Sequence, residues 1–196
     1  MEFGVGTRNY LMFRTLVGLL MISIVPPALS EGSLVKHNID RQSGLEDWFV
    51  EQDGFQIHLL QVRPDNVKAF YLGRDFPVEM ATRISEYCVL TIRMRNTGAA
   101  PASYDLSKWE YIGADGSPKK LMLKEDWLRE WKKSGITMAF TQLPSAQTFE
   151  AGDWNGSLIT LRLAHGEKFT LRYQWQRNNQ IHAGVMEGLR CAKNPE

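Results

Sequence analysis

Four histidines, two cysteines and six tryptophans are the residues of this 196-residue chain from which chemistry would have to be built. His37, His58, His165 and His182 are dispersed, and none belongs to an H-x-x-x-H or H-E-x-x-H unit. The sharpest metal reading pairs His182 with Met186 and brings His58, Met94 or Met138 to them in space, because thioether and imidazole together suit copper in an oxidising compartment. Against it stands the ordinary use of both residue types: His182 as a solvated strand residue and the methionines as fillers of core gaps. Nucleophilic catalysis has less support, since no G-x-S-x-G elbow is present and the serines, histidines and aspartates are scattered. Asp115, Glu125, Asp126, Glu130 and Asp153 could supply paired carboxylates, yet glycosidic chemistry needs a fixed separation between them. Glycine-rich phosphate loops are absent from the sequence. No catalytic residue, no resident metal and no cofactor is expected.

Tryptophan is the remaining chemical signal. Trp109, Trp127, Trp131, Trp154 and Trp175 could form a stacking platform for sugar rings or the centre of a protein interface, because an indole pairs a large apolar area with a polar handle. Trp175 lies in a strongly alternating segment and reads as core. Trp127 and Trp131 recur at i, i+4, the spacing by which a helix docks, so packing competes with binding for both. Trp154 sits in A-G-D-W-N-G, which reads as a tight loop, and is the better exposed candidate. The candidate binding residues are therefore Trp127, Trp131 and Trp154.

The cysteines bear on compartment. Cys88 and Cys191 are not spaced as C-x-x-C, so in an oxidising compartment they read as a structural disulfide rather than a redox centre. Arg8 and Arg14 precede an apolar run, Leu16 to Val25, and Ala28-Leu29-Ser30 places small residues where a signal peptidase reads. About ten apolar residues are too few for a bilayer that needs roughly 20. Residues 1–30 are expected to be a cleavable signal peptide, and the mature protein periplasmic or secreted, with membrane contact only through an uncleaved signal segment. The net charge of +1, with both signs mixed along the chain, offers no basic stripe for nucleic acid.

What must position these residues is a set of short strands. Tyr87 to Gly98 alternates cleanly: Cys88, Leu90, Ile92 and Met94 share one face, and Val89, Thr91, Arg93 and Arg95 the other. Asn-Thr-Gly ends it. Residues 31–53 are polar without a sustained period and read as an extended leader, with Trp48 and Phe49 packing onto the domain edge. Asp53-Gly54 turns into a strand over Phe55 to Val62, with His58 on the face opposite Phe55, Ile57 and Leu59. Pro64 to Arg74 and Pro77 to Glu86 carry helical spacing, so two short helices bridge the first strands. Strand pieces are expected at Tyr104 to Leu106, Trp109 to Ile112 and Lys119 to Leu123, and an amphipathic helix over Lys124 to Lys133. Ile159 to Leu163 and Phe169 to Trp175 read as a hairpin about His165-Gly166-Glu167, and Asn178-Asn179 turns into a last strand.

A strand ending R-N-T-G (Arg95 to Gly98), a strand before A-D-G (Ala114 to Gly116) and F-E-A-G-D-W (Phe149 to Trp154) before the final strands resemble immunoglobulin-like domains of exported bacterial proteins, such as the DUF4352 group. The resemblance spans Phe55 to Cys191 and rests on turn chemistry; the paired helices depart from its pattern. It implies a non-catalytic sandwich used for binding or assembly. The expected fold is mainly β: an antiparallel immunoglobulin-like sandwich over residues 54–196, with a two-helix insertion and one further amphipathic helix. The expected function is a non-enzymatic partner-binding or assembly accessory protein with a protein partner. The alternative is a small-ligand or copper-handling protein of the same compartment.

Overall fold

The computed structural model describes residues 1–2, 35–136 and 141–194. The expected signal peptide beyond Glu2 and the candidate ligand Met138 lie outside these residues. Three strands come first: β1 (Lys36–Ile39), β2 (Glu46–Gln52) and β3 (Phe55–Gln61). Two helices, α1 (Pro64–Leu72) and α2 (Val78–Ser85), lead into β4 (Cys88–Asn96). Next come β5 (Ala102–Asp105), β6 (Glu110–Ile112), β7 (Pro118–Lys119) and the helix α3 (Lys124–Lys132). The remaining strands are β8 (Ala146–Phe149), β9 (Trp154–Leu161), β10 (Lys168–Arg177) and β11 (Gln180–Arg190).

These strands form two antiparallel sheets. The five-stranded sheet runs β1-β2-β3-β4-β9, and the six-stranded sheet runs β7-β6-β10-β5-β8 with β11 on β10. Their inner faces share one core, in which Leu90, Ile92 and Met94 of the first sheet meet Leu171, Tyr173 and Trp175 of the second. The alternation predicted for Tyr87 to Gly98 holds: Cys88, Leu90, Ile92 and Met94 are all buried. Two tight turns set strand registers. Asp53 and Gly54 have φ of 49° and 74°, and Asn178 and Asn179 have 50° and 61°. Two consecutive left-handed residues make the hairpin turn whose twist matches its strands.

The three helices form a third layer over the outer face of the first sheet, at its Cys88 end. Val67, Tyr71, Ala81, Ile84, Trp127 and Trp131 pack with Val89 and Met122 in a second buried cluster. Val89 therefore lies buried although it occupies the polar side of its strand. The other half of that face, toward Arg95, carries no helix residue in this cluster.

The Cys88–Cys191 disulfide is formed and spans 103 residues, joining the start of β4 to the residue after β11. Closing a loop of that length stabilises by up to about 4.7 kcal/mol in the chain-entropy account.

Four expectations need correction. Residues 31–53 contain β1 and β2, which pair in register with β3, and Trp48 is core rather than edge. The β9–β10 connection is no hairpin, since β9 belongs to the first sheet and β10 to the second. Both strands point apolar residues into the same core, so alternation gives the face but not the sheet. Trp154 begins β9 instead of sitting in a loop. The strand expected at Lys119 to Leu123 shrinks to β7, and Met122 instead makes an isolated bridge to Thr160.

Candidate functional site

The open half of the first sheet is built from two rows of side chains that register places across four strands. Phe49, His58, Arg93 and Gly156 form one row, and Glu51, Gln56, Arg95 and Trp154 the next. All lie on the face opposite the core, because they alternate with the buried Trp48, Ile57, Ile92 and Met94. Phe49, Gln56, His58, Arg93, Arg95 and Trp154 line a shallow hollow of about 300 Å³.

The contacts within it sort the charges. The Arg93 guanidinium lies 4.6 Å from the centre of the Trp154 ring, and the indole is 58% exposed. Phe49 meets the His58 ring edge-on at 6.2 Å, with the Lys36 ammonium 5.8 Å from the Phe49 ring. His58 Nε2 is 3.0 Å from Asp47 Oδ1, and Asn38 Nδ2 donates to Asp47 Oδ2 at 3.0 Å. Gln56 Nε2 donates to Glu51 Oε2 at 3.0 Å, and Thr97 Oγ1 to Glu51 Oε1 at 3.4 Å. Both nearby carboxylates are thus engaged by neutral amides, a hydroxyl and an imidazole. Among the described residues, Arg93 and Arg95 meet no carboxylate within ion-pair distance.

The other tryptophans serve packing. Trp127 and Trp131 are fully buried, stacked at 5.4 Å, and the Trp127 Nε1–H donates to Thr160 Oγ1 at 2.7 Å. Neither can meet a ligand, which corrects two of the three candidate binding residues. Trp109 is buried and donates to the Gln174 carbonyl at 2.8 Å. Trp175 lies between Phe55 at 4.9 Å and the His182 ring at 4.0 Å.

The residues of the copper reading are not brought together as a ligand set. His182 Nδ1 is 2.8 Å from Asp53 Oδ2, while Met186 and Met94 are wholly buried in the core and His58 belongs to the first sheet's outer face. No group of three or more His, Cys, Asp or Glu residues able to hold a metal occurs among the described residues. The carboxylates considered for catalysis serve separate local contacts. Asp115 pairs with Lys119 and is held below the usual carboxylate range mainly by that hydrogen bond. Glu125 accepts from the Ser145 hydroxyl, Asp126 caps α3 through the Leu123 N–H at 2.8 Å, Glu130 pairs with Arg83, and Asp153 accepts from the Glu150 N–H at 2.9 Å.

A second hollow of about 460 Å³ lies beside the disulfide, with Arg63, Arg190 and Lys193 in its wall. Two of its cations are already used: Arg63 donates to the Ser43 carbonyl, and Arg190 lies 3.6 Å from the Glu46 carboxylate.

The R-N-T-G and F-E-A-G-D-W segments are bonded to one another. Asn96 is fully buried, and its Nδ2 donates to the carbonyls of Ala100, Phe149 and Glu150 at 2.9, 3.2 and 3.1 Å. Its Oδ1 accepts from the Gly98 N–H at 3.0 Å and from Arg177 at 2.6 Å. This corner fixes where β9 begins, and so places Trp154 opposite Arg95.

The sequence placed Arg93, Arg95 and His58 on outward faces but did not join them to Phe49 and Trp154. The joining signal is strand register, which needed β2 and the true sheet of β9. No family model matches the chain, and no curated protein matches it. Among solved structures the chain is similar to one described as the X-ray structure of Northeast Structural Genomics Consortium target SoR45. The two share 10% sequence identity over 81% of this chain and 86% of that chain, with a TM-score of 0.27. At that score the likeness carries no argument.

Proposed function

We propose that this chain is a non-enzymatic, exported immunoglobulin-like module that acts by binding, as a partner-binding or assembly accessory protein, through the open half of its first sheet. The observation that carries the reading is Trp154, 58% exposed, beside two arginines that meet no carboxylate within ion-pair distance among the described residues. Tryptophan and arginine are enriched where protein surfaces bind. The arrangement of helices supports the same face, since they cover its other half and leave this one open. Export, to the periplasm or the exterior, is supported by the signal-like segment ending at Ser30 and by a disulfide, which persists where the medium is oxidising.

A photo-crosslinking residue at Gln56 in the exported protein tests this reading. An adduct is expected that disappears in Trp154→Ala and is absent when the crosslinker is placed instead at Lys168 on the second sheet. Equal adducts from both positions, or none from Gln56, would remove the open face as the working surface. Mass spectrometry of the exported form is expected to find a chain starting at Glu31.

A further inference from the structure

We infer that the hollow around Trp154 is a subsite for a carboxylate-bearing sugar ring, a uronate of an acidic polysaccharide. The inference rests on the binding role proposed for this face and adds the chemistry of what it holds.

The shape argues for one flat ring. Gly156 stands opposite Arg93 in the row beside the hollow, two residues from Trp154, and a Cβ there would lie 3.3 Å from the Ile92 carbonyl oxygen. Without a side chain, this position leaves the sheet surface uncovered beside the indole. One face of Trp154 takes the Arg93 guanidinium, and the exposure of the residue leaves ring surface for a second stacking partner. The C–H face of a pyranose fits an indole as a flat apolar surface, and a hollow of about 300 Å³ takes about one such ring.

The charge argues for a carboxylate on that ring. Asp47 and Glu51 are bonded to His58, Asn38, Gln56 and Thr97, and among the described residues no carboxylate lies within ion-pair distance of Arg93 or Arg95, so both guanidinium groups keep their N–H donors for a ligand. A guanidinium presents parallel N–H donors matched to the two oxygens of a carboxylate. Arg93 and Arg95 are two residues apart on one strand face, so both aim at the same side of the sheet.

An acidic peptide fits less well. Peptides that bind sheets gain affinity from backbone pairing at an edge. At the hollow, β3 and β4 are interior strands with partners on both sides, and β9, which carries Trp154, is the terminal strand of the sheet. Arg93, Arg95 and Trp154 stand on the face of the sheet and not along the β9 edge, so recognition in the hollow comes from side chains, as it does for a ring.

The test is titration calorimetry of the exported, disulfide-bonded chain with trigalacturonate, with its methyl ester and with poly-L-glutamate. Saturable binding of trigalacturonate is expected, weakened about tenfold or more by esterification, with no saturable binding of polyglutamate. Trp154→Ala and Arg93→Gln are each expected to weaken trigalacturonate about tenfold while leaving circular dichroism and the melting temperature unchanged. Equal binding of the ester would overturn the carboxylate, and equal binding of polyglutamate would overturn the ring. If trigalacturonate fails to bind while the Gln56 adduct still depends on Trp154, the sugar is wrong and the binding face stands. If neither appears, both fall.

Discussion

Asn96 shows how much a single buried amide can organise. Its two Nδ2–H groups are shared among the Ala100, Phe149 and Glu150 carbonyls and tie the chain leaving β4 to the chain leaving β8, and its oxygen holds Gly98 and Arg177. Removing it strands several buried acceptors at once. Asn96→Ala is expected to destabilise by roughly 2–4 kcal/mol, measured as a lowered urea midpoint. Asn96→Asp keeps the oxygen that accepts from Gly98 and Arg177 but turns a second oxygen toward three carbonyls, so it is expected to destabilise at neutral pH and to recover part of the loss as acid protonates it. Gly156 belongs to the same scale. Gly156→Val is expected to lower the urea midpoint, because its Cβ would lie 3.3 Å from the Ile92 carbonyl oxygen, a backbone atom of the neighbouring strand.

Among the elements, α3 is the most dependent on tertiary contact. It is nine residues long, too short to hold on its own, and its apolar face is the stacked Trp127–Trp131 pair set against Tyr87, Tyr71 and Phe76. Trp127→Ala removes the largest part of that face and leaves Thr160 without the indole N–H. A loss of about 3–5 kcal/mol is expected by denaturant titration. Tyr71 gives the same layer a pH signature. Burial raises its phenol from 10.0 to about 12, against the pull of hydrogen bonds from Thr141 and Gln142. A buried Tyr104 shifts in the same direction. An unfolded tyrosine ionises near pH 10 while these two stay protonated in the fold, so the unfolded state binds fewer protons between about pH 10 and 12. Stability is complete below that window and falls as pH rises through it. Urea midpoints measured from pH 8 to 11.5 are expected to stay level and then drop, with a shallower drop in Tyr71→Phe.

Elements were also where the sequence read best and worst. Cys88, Leu90, Ile92 and Met94 announce a buried face because Thr91, Arg93 and Arg95 alternate with them from Leu90 onward. The helices announced themselves through Pro64 and the Trp127–Trp131 spacing. Two features stayed hidden. Trp48 and Val50 alternate with Phe49 and Glu51, but the run is short and Phe49 breaks the polar side, so β2 resembled a leader. The partition of β9 and β10 between sheets is a long-range fact that no local pattern carries. The candidate site was legible as single outward residues, and its assembly depended on those two hidden features.

At the scale of the molecule, two sheets share one core and a single sulfur bond joins them. The core is large enough for the disulfide to be an increment rather than a precondition. The double variant Cys88→Ser with Cys191→Ser is expected to fold, with a lower urea midpoint and a loss of about 2–5 kcal/mol. A variant that fails to fold would show that the core is insufficient without its link.

That link also decides how the chain carries mechanical load. A force applied between Lys36 and Ala192 enters at the edge of the first sheet and leaves just past Cys191, so it crosses from Cys88 to Cys191 through sulfur. The strands and the helix strung between those two cysteines form a closed ring lying off the line of tension. Under a pulling probe the oxidised protein is expected to pay out only the length of chain ahead of Cys88, and the remaining contour should appear only after a reductant is added.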